Sequence, residues 1–321
     1  MKIKPILIVA GEPNSIFVEI LVRSLIKKKF KSPILLIISK KIFLSQTRKL
    51  KLKIPIKIIN ENNLGNLILD NKKLYLIDVN YNFIKPFEKI SNKSNKYIKE
   101  SFAIALKLLK SGLTNKFING PVSKKYFLKN KFLGITEYLA EKTKTNNFAM
   151  LIYNKKLSVV PITTHLPLKL VVNNISKNLI IKKILLINNF YKNYLNVKPK
   201  IAVTGLNPHC ESIDKYNEDK KIIEPAVKYL KNKINITGPL AADTIFLKNN
   251  RKKYNLIVGM YHDQVLSPMK TLFEYDAINI TIGLPFIRIS PDHGPNESMM
   301  GKNLSNPKSL FEAIKFLDNR W

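Results

Sequence analysis

The sequence predicts an α/β protein built on a largely parallel sheet. Short apolar runs rich in Ile, Val and Leu alternate with segments of helical periodicity, the order that strand–helix–strand units leave in a chain. The 321 residues, 45% of them hydrophobic, supply a core for one large or two medium domains. No internal repeat and no Gly/Ser-rich or Pro-rich linker interrupts the alternation.

The first strand is expected over residues 6–10, closed by the turn Gly11-Glu12-Pro13. Its apolar run is too short for the core of a signal peptide. A helix follows over 15–28, then strands over 34–38, 117–119, 149–153, 201–204 and 256–260. Helical periodicity is clearest where Ile98, Phe102, Ala105 and Leu109 recur at steps of four and three, opposite Lys99, Lys107 and Lys110. Further helices are expected over 136–142, 177–191, 224–231 and 307–317. The Lys/Asn-rich stretch 51–94 is weakly periodic and reads as peripheral loops and short strands. Asn119-Gly120-Pro121-Val122-Ser123-Lys124 reads as a strand end, a turn and a helix start, and such strand ends are where open α/β sheets bind ligands.

Composition excludes several classes. A single cysteine, Cys210, forbids an intrachain disulfide and fits a reducing compartment, the cytoplasm. Beside His209 it is either a soft metal ligand or a small buried residue. No apolar run approaches the roughly 18 residues of a membrane span. The formal charge of +33 raises the question of a polyanionic partner. Only five of the 55 basic residues are arginine, and the lysines are spread through an Ile/Asn-rich chain, the signature of an adenine- and thymine-rich coding sequence. With no aromatic-basic module, no specific nucleic-acid partner is expected. Among 11 glycines no two are separated by a single residue, so the Gly-x-Gly-x-x-Gly fingerprint is absent.

Three of the four histidines sit in polar, turn-like settings: Thr164-His165-Leu166-Pro167, Asn207-Pro208-His209 and Tyr261-His262-Asp263-Gln264. A lone histidine is more often structural than a ligand, but three imidazoles on loops, with one position left open, suit one catalytic divalent ion. Their spacing matches no short zinc motif. The densest polar stretch is 261–302, with His262, Asp263, Lys270, Asn279, Arg288, Asp292 and His293 among Gly and Pro punctuation. Lys270 and Arg288 can neutralise a phosphate or carboxylate, and Asn279 can orient it. Arg288 follows the apolar run 284–287, where an unpaired charge is costly, so a structural ion pair is its bland reading. Asp243, in Gly238-Pro239-Leu240-Ala241-Ala242-Asp243-Thr244, is either a helix N-cap or a site carboxylate.

The segments GEPNSIFVE, NGPVSKKYF, GITEYLAEKT, TTHLPLKLV, GLNPHCE, GPLAADTIF, YHDQVLSPMK and NITIGLPFIRISPDHG recur, in this order, in one family. The chain resembles the 4-hydroxythreonine-4-phosphate dehydrogenases (the PdxA family) of pyridoxal phosphate (vitamin B6) biosynthesis. The resemblance implies two α/β/α lobes with a central cleft, as in isocitrate and isopropylmalate dehydrogenases. One lobe comprises residues 1–125 with 275–321 and carries the NAD adenine loop; the other, 126–274, carries the metal ligands and the dimer interface. It implies a homodimer with the metal and active site at the subunit interface, NAD or NADP as oxidant, and one Zn, Mg, Mn or Co ion per subunit. The metal ligands fall on His165, His209 and His262. Contacts to the small phosphorylated amino-acid substrate fall on Ile135, Thr136, Lys270, Asn279 and Arg288. Asp243 and Lys270 fall at the reacting carbons, and Asp292, His293 and Gly294 in the loop for the adenine end of the cofactor. The implied reaction oxidises the 3-hydroxyl of 4-phosphooxy-L-threonine and releases CO2 to leave 3-amino-2-oxopropyl phosphate.

The chain departs from the family pattern in four places. Ile135 stands where the family has a substrate-binding His, Ser15 and Phe17 where glycine is common, Ile289 where Thr is usual, and Pro295-Asn296 where Thr-Ala is usual. A hydrogen bond to a charged group is worth about 1.5 to 3 kcal/mol, so losing the Ile135 contact weakens binding roughly 10- to 150-fold if uncompensated. Two alternatives follow: a paralogue acting on a phosphorylated threonate or erythronate, or a catalytically impaired relative.

Overall fold

The structure, a computed structural model, describes residues 3–129, 131–211, 217–291 and 294–319. Its strands are β1 (Ile6–Val9), β2 (Ile34–Ile38), β3 (Ile56–Ile59), β4 (Leu74–Asp78), β5 (Lys116–Asn119), β6 (Ala149–Tyr153), β7 (Ser158–Pro161), β8 (Ile201–Thr204), β9 (Ile236–Leu240), β10 (Leu256–Gly259), β11 (Ile278–Ile282) and β12 (Ile287–Ser290). The α-helices are α1 (Phe17–Lys27), α2 (Lys40–Lys49), α3 (Asn95–Lys110), α4 (Ile135–Lys142), α5 (Leu168–Val171), α6 (Lys177–Leu195), α7 (Glu224–Lys231), α8 (Ala242–Ile245), α9 (Lys248–Arg251), α10 (His262–Phe273) and α11 (Lys308–Asp318). The chain divides into two compact units, residues 1–139 with 285–321 and residues 140–284, so the first division falls inside α4.

In the first unit the strand order is β3-β4-β2-β1-β5-β12, with neighbouring strands parallel. Every residue of β1, β2 and β5 is buried, which is why β1 and β2 run apolar without alternation. The stretch 51–94 supplies the short strands expected of it, with β3 at the sheet edge, but β4 is not peripheral: it lies between β3 and β2, with Leu74, Leu76 and Ile77 at most 3% exposed. Its run is short and follows Lys72-Lys73, which hides it in a lysine-rich background. Helix α2, which the periodicity did not single out, starts at Ser39, whose Oγ accepts from the Ile42 N–H. The apolar face of α3 is buried as its period requires, through Ile98, Phe102, Ala105 and Leu109.

Two glycines let the ends of β1 and β5 approach. A Cβ on Gly11, whose φ is +76°, would lie 2.3 Å from the Pro121 carbonyl oxygen, and one on Gly120 would lie 2.1 Å from that of Ala10. At the opposite end of β5, Lys116 is fully buried; its Nζ donates to Ser32 Oγ at 3.1 Å, and burial pushes its pKa down.

In the second unit the order is β11-β6-β7-β10-β8-β9. Strands β7, β10, β8 and β9 are parallel, while β6 runs antiparallel to β11 and β7. Met150, Val159, Ala202, Ile257, Val265 and Met269 form part of one core beneath the sheet. Helix α10 starts close against the end of β10, because Gly259 leaves room: a Cβ there would meet Val265 Cγ1 at 2.4 Å.

Candidate active site

Strands β7, β10 and β8 are neighbours and parallel, so their carboxyl ends share one edge of the second unit. His165 follows β7, His262 follows β10 and His209 follows β8. Residues scattered over about a hundred positions of sequence thus emerge at one sheet edge. The His165 and His262 rings lie 5.8 Å apart between centroids. His262 Nδ1 is 2.6 Å from Asp263 Oδ1, which leaves Nε2 as the free ligand nitrogen, the carboxylate–imidazole pairing common behind metal-binding histidines. His209 is exposed on the 3-10 turn Pro208–Cys210, with left-handed φ 57° and ψ 12°. Among the described residues, no three His, Cys, Asp or Glu side chains are grouped closely enough to hold an ion. The structure therefore brings two of the three expected imidazoles together and leaves the third on its own loop. The donor chemistry, imidazoles with a carboxylate behind one of them, suits a divalent ion.

Cys210 is partly buried, and burial raises its pKa. Asp243 is exposed in the first turn of α8 and makes no capping hydrogen bond; Ala241 occupies the N-cap position. Lys270, in the last turn of α10, is half-buried, and burial lowers its pKa. Asn279, on β11, presents a buried Oδ1 with no hydrogen-bond partner among the described residues.

In the first unit, Arg288 is among the largest fully buried side chains of the described residues. It lies on β12 opposite Phe117 of β5; its Nε donates to Asn119 Oδ1 at 2.7 Å and its Nη1 to Thr136 Oγ1 at 3.0 Å. Burial lowers its pKa to about 10, opposed by the charge of Glu137, so the guanidinium stays a cation at neutral pH. Thr136 is buried in the first turn of α4, and Ile135, beside it, is half-buried. Two neutral acceptors, Asn119 Oδ1 and Thr136 Oγ1, position the cation, and the nearby Glu137 charge favours it. Asn119 was visible only as a strand end; nothing in its sequence context marked the side chain as a partner of Arg288.

Of the expected adenine-loop residues, Asp292 and His293 lie outside the described residues. Gly294 is exposed, with open space beside its Cα. The Pro295 carbonyl accepts from the Ile16 N–H at 3.2 Å, which ties this loop to the β1–α1 connection. That connection holds Glu12, which is 1% exposed and was not singled out as a site residue. Its carboxyl accepts from Asn14 N–H at 3.2 Å and from Ser94 Oγ at 2.9 Å, and burial raises its pKa to about 7.

The sequence profile of the pyridoxal phosphate biosynthetic protein PdxA matches residues 29–317. The chain belongs to the PdxA family. A 4-hydroxythreonine-4-phosphate dehydrogenase from Sulfurihydrogenibium sp. is 38% identical over 313 residues, covering 96% of this chain and 95% of that protein. A relative from Oceanobacillus iheyensis, provisionally named a D-threonate 4-phosphate dehydrogenase, is 36% identical over 220 residues, 67% of this chain and 66% of its own. The crystal structure of 4-hydroxythreonine-4-phosphate dehydrogenase from Klebsiella pneumoniae superposes with a TM-score of 0.84 at 28% identity, covering 98% of this chain and 97% of that one. The PdxA chain described here thus has the mixed α/β fold of its family, and its relatives are oxidoreductases.

Proposed function

We propose that this PdxA-family chain oxidises 4-phosphooxy-L-threonine with NAD or NADP, assisted by a divalent ion, and that the 3-oxo acid decarboxylates to 3-amino-2-oxopropyl phosphate. The observation that carries this reading is the His165–His262 pair at the ends of adjacent parallel strands, with Asp263 behind one ring. His165, His209 and His262 would hold the ion, which supplies Lewis acidity at the substrate's 3-hydroxyl. A nicotinamide held there would supply the acceptor for the hydride from C3. Asp292, His293 and Gly294 would receive the adenine end of the cofactor.

Arg288, kept cationic in a dry site, would bind an anionic group of the substrate, and Thr136 would orient it. The unpartnered Asn279 Oδ1 would accept a hydrogen bond from the substrate. Asp243 would stand as the carboxylate at the reacting carbons. When the C–CO2 bond breaks, its electron pair is left as an enolate, and the half-buried Lys270 ammonium would stabilise that charge. The proposal includes two α/β/α lobes as in isocitrate dehydrogenase and a homodimer with the active site at the subunit interface. Leu168, Leu170 and Val172, which follow His165 in sequence and are 68%, 39% and 42% exposed, are the apolar surface a second copy would cover. A cytoplasmic location fits the single cysteine. No described helix is long and apolar enough to cross a membrane.

The test is NADH formation at 340 nm from 4-phosphooxy-L-threonine and NAD with added divalent metal, repeated after chelation. His209→Ala should abolish the metal-dependent rate; an unchanged rate would sink the ligand assignment. A second reading, oxidation of a phosphorylated threonate or erythronate, is favoured by Ile135 in place of the family's histidine and by the Oceanobacillus relative's name. Turnover of the two substrate types side by side separates them.

A further inference from the structure

We infer that Asn119 is a positioning residue for substrate binding: its side-chain amide fixes the Arg288 guanidinium in one orientation and sets a neutral acceptor, not a carboxylate, against Nε. The strand register brings the two together. Arg288 of β12 stands opposite Phe117 of β5 in a parallel pair, and Asn119, two residues on, shares the face of Phe117. Asn119 Oδ1 accepts from Arg288 Nε at 2.7 Å, and both residues are at most 1% exposed.

The other end of the amide is already committed. Asn119 Nδ2 donates to the Gly120 carbonyl at 2.8 Å. Gly120 is itself held in place: its N–H donates to the Val9 carbonyl at 2.7 Å, and a Cβ there would lie 2.1 Å from the Ala10 oxygen. The Nδ2 bond thus selects the end of the amide that faces Arg288, because the reversed amide would set two donors against each other. Thr136 of α4 accepts from Nη1 at 3.0 Å, so acceptors on two different elements define the plane of the fork. Phe117 packs edge-on against Phe102 at 6.4 Å and Phe286 at 5.6 Å between ring centroids. Beside these rings the fully buried guanidinium has no water shell to replace a lost acceptor, so without Asn119 it would turn. The Glu137 charge already favours the cation. An amide at position 119 adds no second negative charge there to repel an anionic group of the substrate.

This role rests on the proposed binding of an anionic substrate group by Arg288, and the test keeps the two apart. The kcat and KM for 4-phosphooxy-L-threonine, with saturating NAD and divalent metal, are compared in the parent, Asn119→Ala, Arg288→Met and the double variant. A misplaced binding group weakens ground and transition states alike, so Asn119→Ala is expected to raise KM about 10- to 100-fold with kcat changed less than about threefold. In the Arg288→Met background no guanidinium remains to orient, and Asn119→Ala should change kcat/KM by less than about twofold. A loss that persists there would show that Asn119 serves only the strand end and would overturn the inference, as would a parental KM in folded Asn119→Ala. A parental KM in Arg288→Met would instead fail the substrate reading, and this role with it. If Asn119→Ala does not fold, the parent decides. The chain has five arginines, so its Nε–H magnetic resonance spectrum is sparse, and the Arg288 signal is assigned by its loss in Arg288→Lys. A signal protected from solvent exchange that shifts when 4-phosphooxy-L-threonine is added supports the role; one that exchanges as fast as in the urea-unfolded chain, or stays unmoved at saturating substrate, overturns it.

Discussion

Glu12→Gln removes a carboxyl that the fold buries to 1% exposure with two neutral donors, the Asn14 N–H and the Ser94 hydroxyl. Its pKa rises from 4.5 to about 7 because burial penalises the anion. A folded-state pKa above the unfolded value means that the native state holds the proton more tightly. Stability is therefore lost as pH rises from 4.5 through about 7. At about 1.4 kcal/mol per unit, the penalty is just under about 1 kcal/mol at pH 5 and reaches about 3 kcal/mol at pH 8. Glutamine cannot ionise, and its amide oxygen can still accept from Asn14, so the variant escapes most of this cost. Urea unfolding of parent and variant at pH 5 and pH 8 should show the variant's advantage growing by about 2.5 kcal/mol between the two. A difference that stays constant with pH, or one that shrinks as pH rises, would refute the burial argument.

Gly11→Ala should destabilise the chain by more than about 1 kcal/mol, because the position has φ +76° and a Cβ would lie 2.3 Å from the Pro121 oxygen; an unchanged melting temperature would show that the loop relaxes. Ile135→His should lower KM for 4-phosphooxy-L-threonine by restoring the family's contact, and an unchanged KM would mean that another residue makes it. Arg288→Lys keeps the charge but loses the paired bonds to Asn119 and Thr136. It should raise KM roughly 10- to 150-fold, and a KM like the parent's would remove Arg288 from substrate binding.

Periodicity and apolar runs located half of the described strands (β1, β2, β5, β6, β8 and β10) and the helices α1, α3, α4, α6, α7 and α11, because burying one face or a whole strand leaves a local imprint on the chain. The imprint faded where composition masked it. In β4 a four-residue buried run stands between lysines and asparagines, and Lys116 would be read as a solvated residue although it is fully buried against Ser32. The histidines could be picked out from their loop settings and from eight family segments, but not the side chain behind Arg288. Asn119 is short-range silent: it acts on a residue brought near only when strands pair.

The sequence by itself determined the α/β class, the family, the absence of a glycine-rich nucleotide fingerprint and the identity of the chemically equipped side chains. These follow from residue type, local period and ordered segments, which need no knowledge of distance. Tertiary structure alone decided that β7, β10 and β8 lie side by side, that His165 and His262 meet while His209 stays on its own loop, and that Arg288 rests on Asn119 and Thr136. It also decided that Glu12 is buried deeply enough to hold its proton near neutral pH. Those outcomes depend on strand order and desolvation, which are properties of the packed chain and leave no mark on the residues immediately beside each group.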